Sequence, residues 1–268
     1  MSVPGDDRAF LYGDGLFETL LCIRGQLLWP ELHVDRLLEG GARLGIAIER
    51  SAAEFRLAQA AQGLRDKGAT VLRLTVSRGG GTRGYAPAPD SLPNWYFSAT
   101  VLEEDPLSHA PALCVSVASI SMAEQPALAG IKHCNRLEQV LAAREAVERG
   151  VDDVILLTEA GFAQCSSNAN LFALQGDRLI TPPCNRCGIR GTRRRLLLEK
   201  LGPDLGLQVE EKRLRVADLL ASDALFLSNS VRGVRSLSRL DAHEFVGSPW
   251  FPKLQHAYVQ AALACIGS

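Results

Sequence analysis

Apolar residues recur along this chain at two spacings, and the spacing changes often enough to predict alternating strands and helices. Phe17–Arg24 reads as a strand, and Gly25-Gln26 turns it back into Leu27-Leu28-Trp29. Glu31–Leu44 places Leu32, Leu37, Leu38 and Leu44 on a helical stripe. Ser51-Ala-Ala-Glu54 has the form of a capping box, which predicts a helix from there to Asp66. Thr70–Ser77 and Trp95–Val101 are rich in β-branched or aromatic residues and read as strands. Glu103–Pro111 is polar and bounded by proline, as a linker would be.

Beyond that linker the pattern predicts a strand at Leu113–Ile120 and a helix at Asn135–Arg149 that stops at Gly150. A strand at Asp153–Leu157, a hairpin through Asn170–Thr181 and a helix from Thr192 to Leu201 follow. Next come a strand at Leu207–Arg213, a short helix at Val216–Ala221, strands at Ala224–Leu227 and Val231–Leu237, and a last helix after Pro252. The order implies an α/β fold of mixed α+β character in two domains. The smaller N-terminal one spans 1–107 and the larger C-terminal one 108–268.

Composition removes several classes of function. With 47% hydrophobic residues the 268-residue chain can bury a large core, and a net charge of −1 offers no basic surplus for nucleic acid. Apolar runs such as Val154–Leu157 are far shorter than a membrane span, and the N-terminus shows no basic stretch followed by an apolar one. The seven cysteines are odd in number and lack a framework, which suggests reduced thiols in the cytoplasm. Cys184-Asn-Arg-Cys187 has no second pair to complete a zinc site and reads as two ordinary thiols.

Four segments carry candidate chemistry. Lys132 stands in Ala-Gly-Ile-Lys-His-Cys-Asn-Arg136, flanked by small or apolar residues. An apolar setting disfavours the ammonium, and Schiff-base chemistry needs the neutral amine. A lysine at a helix start is also ordinary surface chemistry. Cys187-Gly-Ile-Arg-Gly-Thr-Arg193 leads into a helix and Ser228-Asn-Ser-Val231 joins two strands. Both are shaped to bind an anion, or simply to cap and turn. Ser77-Arg-Gly-Gly-Gly-Thr-Arg-Gly-Tyr-Ala-Pro87 puts two arginines around a glycine run, suited to carboxylates or to a surface loop. Arg36 shares a helical face with His33 and Leu37.

Together these segments resemble the class IV (fold type IV) aminotransferases that use pyridoxal 5'-phosphate (PLP). The resemblance spans nearly the whole chain. It rests on Tyr12-Gly-Asp-Gly-Leu-Phe-Glu-Thr19, His33-x-x-Arg36-Leu37, Gly188–Arg194, Asn170-Leu-Phe172 and Ser228–Ser230. Within the family, Ala123–Val140 and the run at 77–85 are similar to the aminodeoxychorismate lyases, which convert 4-amino-4-deoxychorismate to 4-aminobenzoate and pyruvate. The resemblance implies a PLP-bearing and catalytic Lys132. It implies cofactor contacts from Arg36, Thr192, Arg193, Asn229 and Ser230, and substrate contacts from Arg83, Tyr85 and Arg78. It also implies a homodimer acting on a small molecule, with no nucleic acid, membrane or metal. Alternatives within reach are a D-amino-acid or branched-chain aminotransferase, and a PLP-binding homologue of feeble activity.

Two departures stand out. The family usually sets a glutamate against the pyridine nitrogen, and an ungapped count from Asn170 puts Cys165 there; a one-residue slip puts Gln164 there. Neither is a carboxylate, so a weaker electron sink is expected, which elimination tolerates better than transamination. The chain also opens almost at Asp7-Arg8, so an expected opening strand pair is missing or the true start lies upstream.

Overall fold

A computed structural model of the chain describes residues 2–81 and 84–267. The chain divides into two compact units, and the division is not colinear. The first unit takes the residues up to Pro106 together with Ile131–Arg136, and the second takes Leu107–Gly130 and Leu137–Gly267.

The first unit begins with a short helix, α1 (Arg8–Tyr12), which the pattern did not reveal because five residues are too few for a periodic signal. Its cap is nonetheless chemical: the Asp7 carboxylate accepts from the Ala9 amide, and Gly13 closes the helix at φ 67°. Strand β1 (Gly15–Ile23) turns at Arg24-Gly25, both at positive φ, into β2 (Gln26–Leu27). Helix α2 (Pro30–Leu44) follows, opened by a proline whose missing N–H costs nothing there. Helix α3 (Arg50–Gln62) comes next. The expected capping box does not form. The helix starts one residue earlier, with Glu49 at the cap making no side-chain cap bond, so Ser51 already lies inside the helix. Strands β3 (Ala69–Ser77) and β4 (Asn94–Val101) complete an antiparallel sheet in the order β2-β1-β3-β4.

Ile131–Arg136 uses the edge of β1 that β2 leaves open. The Phe17 amide donates to the Lys132 carbonyl at 2.9 Å, and the Cys134 amide to the Gly15 carbonyl at 2.9 Å. An antiparallel bridge joins Leu16 to His133. The backbone of the lysine segment is thereby fixed to the first unit's sheet.

The second unit is built on a ten-stranded mixed sheet. Its elements are β5 (Leu113–Met122), α4 (Leu137–Arg149), β6 (Asp153–Thr158), β7 (Phe162–Ser166), β8 (Asn170–Gln175) and β9 (Arg178–Thr181). Helix α5 (Thr192–Leu196) runs on through a π-helical turn at Leu197–Leu201 and a further turn at Gly202–Asp204. Then come β10 (Gln208–Glu211), β11 (Leu214–Arg215), α6 (Val216–Leu220), β12 (Ala224–Asn229), β13 (Gly233–Leu240), β14 (His243–Glu244) and α7 (Trp250–Gly267).

The central strands pair in the order β8-β12-β13-β5-β6-β7, and a pair between Cys165 and Asn170 joins β7 back to β8. The sheet thus closes around an apolar filling that includes Val115, Ile155, Leu171, Leu225, Leu227 and Leu237. Closure removes the strand edges that an open sheet would expose. A register shift between Leu156 and Leu157 leaves an extra residue on β7 at Gln164. No helix among the described residues is long and apolar enough to cross a membrane.

Candidate active site

In the first unit the side chains gather around Lys132. Its ammonium nitrogen lies 4.1 Å from the centroid of the Phe17 ring. Burial pushes its pKa from 10.5 down to about 7, assisted by the positive charges of Arg36, Arg136 and Arg73 and resisted by Glu18. Near neutral pH a large share of this lysine is a free amine and hence a nucleophile and a base.

Glu18 and Arg36 belong to one buried network. Arg36 reaches from α2 to grip the Glu18 carboxylate with two nitrogens, Nε at 2.8 Å and Nη2 at 2.5 Å. His33, one helical turn back, meets the same carboxylate through Nδ1 at 2.6 Å. Burial would raise the pKa of Glu18, but the charges and hydrogen bonds of Arg36 and His33 outweigh it and hold the carboxyl at about 2. Glu18 is therefore an anion with its charge already matched, and it cannot fully restore the proton of Lys132. The signature at 12–19 contains Glu18, but a buried acid's partner depends on packing, and nothing local named it.

Next to the lysine, His133 is held neutral. Burial and the charge of Arg136 lower its pKa to about 4, and its Nε2 meets the Arg136 guanidinium. Arg73 is a cation that sequence reading missed. Its guanidinium carbon lies 4.0 Å from the Phe17 ring centroid, and its side chain is exposed. The strand register explains its position, since Arg73 pairs with Thr19, two residues along β1 from Phe17.

Arg78 is different from expectation. Nε and Nη2 both bind Asp14, at 2.7 and 3.0 Å, while Nη1 and Nη2 donate to the carbonyls of Gly45 and Leu44 at 2.7 and 2.6 Å. Only 9% of the residue is exposed, so its donors tie the sheet to the end of α2 and are not offered to a substrate. Tyr85 is 84% exposed, with its ring 5.3 Å from that of Tyr12. Arg83 lies outside the described residues.

In the second unit two turns carry the anion-binding features. The Gly130 amide donates to the Gly188 carbonyl and the Arg190 amide to the Gly130 carbonyl, each at 2.9 Å. These bonds pin the first turn two residues from Lys132 in sequence. Asn170 secures the same turn by donating to the Ile189 carbonyl at 2.8 Å. A Cβ on Gly191 would sit 2.0 Å from the Asn170 Oδ1, so the backbone there runs where a side chain does not fit. Thr192 begins α5 and is buried. Arg193 is buried more deeply still, and its nitrogens reach the Tyr258 hydroxyl, the Thr192 hydroxyl and the Ser230 carbonyl at 3.3, 3.4 and 3.2 Å. It braces one turn against the other.

In the second turn the side-chain Oδ1 of Asn229 accepts from the Val231 and Arg232 backbone amides at 3.0 and 2.8 Å. Its side-chain Nδ2 donates to the Asn168 Oδ1 at 3.1 Å. Ser228, which precedes it, has a buried hydroxyl with no hydrogen-bond partner among the described residues. Buried hydroxyls are normally satisfied, and an orphan at this turn suits an anion.

Gln164 and Cys165 are both buried on β7. The Gln164 side-chain Nε2 donates to the Pro183 carbonyl at 3.0 Å. Cys165 lies among Met122, Ala142, Ala146, Val154, Leu156 and Cys187, with its sulfur 4.0 Å from that of Met122. Cys184 and Cys187 are buried free thiols, and burial raises both pKa values, Cys187 to about 12.

A family model for class IV amino-transferases matches residues 15–240. The chain belongs to the class IV aminotransferases. Aminodeoxychorismate lyase of Vibrio harveyi is 33% identical over 247 residues, covering 90% of this chain and 89% of that protein. D-alanine aminotransferase of Bacillus licheniformis is 25% identical, covering 92% of this chain and 86% of that protein. The crystal structure of 4-amino-4-deoxychorismate lyase from Pseudomonas aeruginosa matches with a TM-score of 0.88 at 33% identity, over 96% of this chain and 94% of that one. The mixed α/β fold is that of the fold type IV enzymes.

Proposed function

We propose that this protein is a PLP-dependent lyase that converts 4-amino-4-deoxychorismate to 4-aminobenzoate and pyruvate. The observation that carries the reading is the amine of Lys132, held near neutrality by burial and surrounding cations while Glu18 is engaged by Arg36 and His33. The residues fit the cofactor. An uncharged amine suits its aldehyde, and the turn at Gly191 and the unpartnered hydroxyl of Ser228 suit its phosphate. On this reading Lys132 holds PLP. Thr192, Asn229 and Ser230 bind its phosphate, Arg193 braces them, and Arg36 contributes charge. Cys165 or Gln164 stands at the pyridine nitrogen. Bound PLP supplies an electron sink for the pair released when a substrate C–H bond breaks.

The chain's own residues do the rest. Once the substrate's amino group has taken its place on the cofactor, the freed Lys132 amine would take the proton from the substrate carbon that bears the amino group. The carbon–oxygen bond to the enolpyruvyl group then breaks, and the ring becomes aromatic. The ammonium of Lys132 returns its proton to the departing enolpyruvate, which becomes pyruvate. Arg73, exposed beside Phe17 and without an ion pair among the described residues, is the first-unit cation best suited to a substrate carboxylate, with Arg83 and Tyr85 assigned there by resemblance. The same reading makes the protein a cytoplasmic homodimer.

The absence of a carboxylate at 164 and 165 favours elimination over transamination, because elimination discharges the carbanion as it forms. A coupled pyruvate assay with purified holoenzyme tests the reading. Pyruvate and 4-aminobenzoate should appear in equal amounts without any 2-oxo acid acceptor and vanish in Lys132→Ala. Turnover only when a 2-oxo acid is added would make the protein an aminotransferase instead.

A further inference from the structure

The glycine-rich connection that leaves β3 is held by one buried side chain at the start of α1. Arg8 is 4% exposed, and each of its guanidinium nitrogens is spoken for. Nε donates to Asp14 Oδ2 at 2.9 Å, Nη1 to the Gly84 carbonyl at 3.1 Å, and Nη2 to the Tyr85 carbonyl at 2.6 Å. The guanidinium carbon lies 5.0 Å from the Tyr12 ring centroid, and the Tyr12 ring is the one Tyr85 leans on. The backbone adds to the grip, since the Arg8 amide donates to the Gly79 carbonyl at 2.9 Å and Asp7 bridges to Gly80. Asp7 is itself anchored by the hydroxyls of Ser77 and Tyr96 and the amide of Asn94, at 2.7, 2.6 and 3.0 Å.

Two consecutive carbonyls drawn toward one guanidinium have a consequence for the opposite side of the chain. In a trans peptide the N–H points away from the C=O. The chain has no cis peptide bond among the described residues. The N–H groups of Tyr85 and Ala86 are therefore turned away from Arg8, and Gly84 at φ 101° permits that course. Neighbouring N–H groups facing one way make a concavity suited to an anion.

We propose that Arg8 is a positioning residue for substrate. By holding the carbonyls of Gly84 and Tyr85 inward it presents the amides of Tyr85 and Ala86, with the Tyr85 ring, to a carboxylate of the substrate. The inference rests on the lyase reading only for the identity of that substrate. Arg8 touches neither substrate nor cofactor. It acts through the shape of the connection, and a fork with separate donors for separate carbonyls is what lysine cannot replace.

The test compares holoenzyme with Arg8→Ala and Arg8→Lys. In Arg8→Ala the KM for 4-amino-4-deoxychorismate should rise about tenfold, the loss expected when a charged hydrogen-bonding partner is removed. The turnover number and the bound-PLP absorbance should hold. Arg8→Lys should fall between, and it carries the comparison if the alanine variant does not fold. Hydrogen exchange in the absence of substrate provides the second readout, and it should quicken in residues 79–81 and 84–87 and not elsewhere. An unchanged KM overturns the proposal, as does a KM rise with no change in exchange. If the wild type forms no pyruvate the lyase reading falls, and local loosening at 79–81 and 84–87 still decides whether Arg8 holds the connection.

Discussion

Lys132 and Arg78 show how far residue type alone carries an argument. Both stand in segments whose pattern points to chemistry, but only the first is in a setting that suits it. Lys132 owes its depressed pKa first to burial and then to Arg36, Arg136 and Arg73. Apo protein should therefore be acetylated at Lys132 with a rate that climbs through about pH 7, not through the usual lysine range, as followed by mass spectrometry. Replacing Arg73 with Gln should move that midpoint upward, since it removes a repelling charge. Glu18→Gln would leave Arg36 and His33 without their shared anion. Breaking a buried pair from one side costs about 3–5 kcal/mol, which a denaturant melt of the variant should register. The donors of Arg78, by contrast, are consumed by Asp14 and two carbonyls. Its sequence neighbourhood, a glycine run next to a second arginine, could not reveal that.

At the scale of elements, α2 and most of the longer strands followed from the local pattern because burial of one face imposes it, whereas β7 (Phe162–Ser166) was not foreseen. Short elements did not follow from it. Helix α1 is set by a cap and a tertiary anchor, and the Ser51-to-Glu54 pattern lost to a start one residue earlier at α3. Within the second unit, the pairing of Gly130 with the first anion turn is likewise a matter of backbone geometry. Gly130 makes it at φ 87°, where a side chain is strained, and a Cβ would also press on Arg190 at 3.2 Å. Gly130→Ala should cost about 1–3 kcal/mol in stability. It should also weaken PLP binding more than it weakens folding, because both its hydrogen bonds run to the turn at 188–190. Equal PLP affinity in titrations of the variant and the wild type would contradict that link.

For the molecule as a whole, the acids whose pKa values are lowered against burial are unevenly shared. Asp7, Asp14 and Glu18 all belong to the first unit and all are held below their ordinary values. In each case burial pushes upward and is outweighed by donors: Ser77, Tyr96 and Asn94 at Asp7, Arg78 and Arg8 at Asp14, and Arg36 and His33 at Glu18. A carboxyl whose folded pKa is depressed stabilises fully above its unfolded value, and the contribution is lost as pH falls through the folded one. For Glu18 that window runs from 4.5 down to about 2. In the second unit Glu145 is also held low, by Ser119 and Arg149 against burial, but it lies near the surface where solvent screens it. Acid should therefore loosen the first unit before the second. Hydrogen exchange as a function of pH should show amides of β1 and β3 losing protection above the pH at which those of β8 and β12 do. Simultaneous loss in both units would contradict this ordering.

What the sequence determined by itself was what repeats or clusters locally: the alternation of strands and helices, the mixed α/β class, the segments likest to class IV enzymes and the lysine among them. Those features are local because a strand or helix buries a face set by nearest neighbours, and a motif is a run of residues. What only the tertiary structure decided was which side chains meet. It returned Ile131–Arg136 to the edge of β1, matched Glu18 to Arg36 and His33 across two elements, consumed Arg78, brought Arg73 to Phe17, and closed the second unit's sheet through Cys165 and Asn170. The physical reason is common to all of them. Charge pairing, desolvation and sheet closure depend on distances of a few ångströms between residues tens of positions apart, and spacing along the chain does not encode those distances.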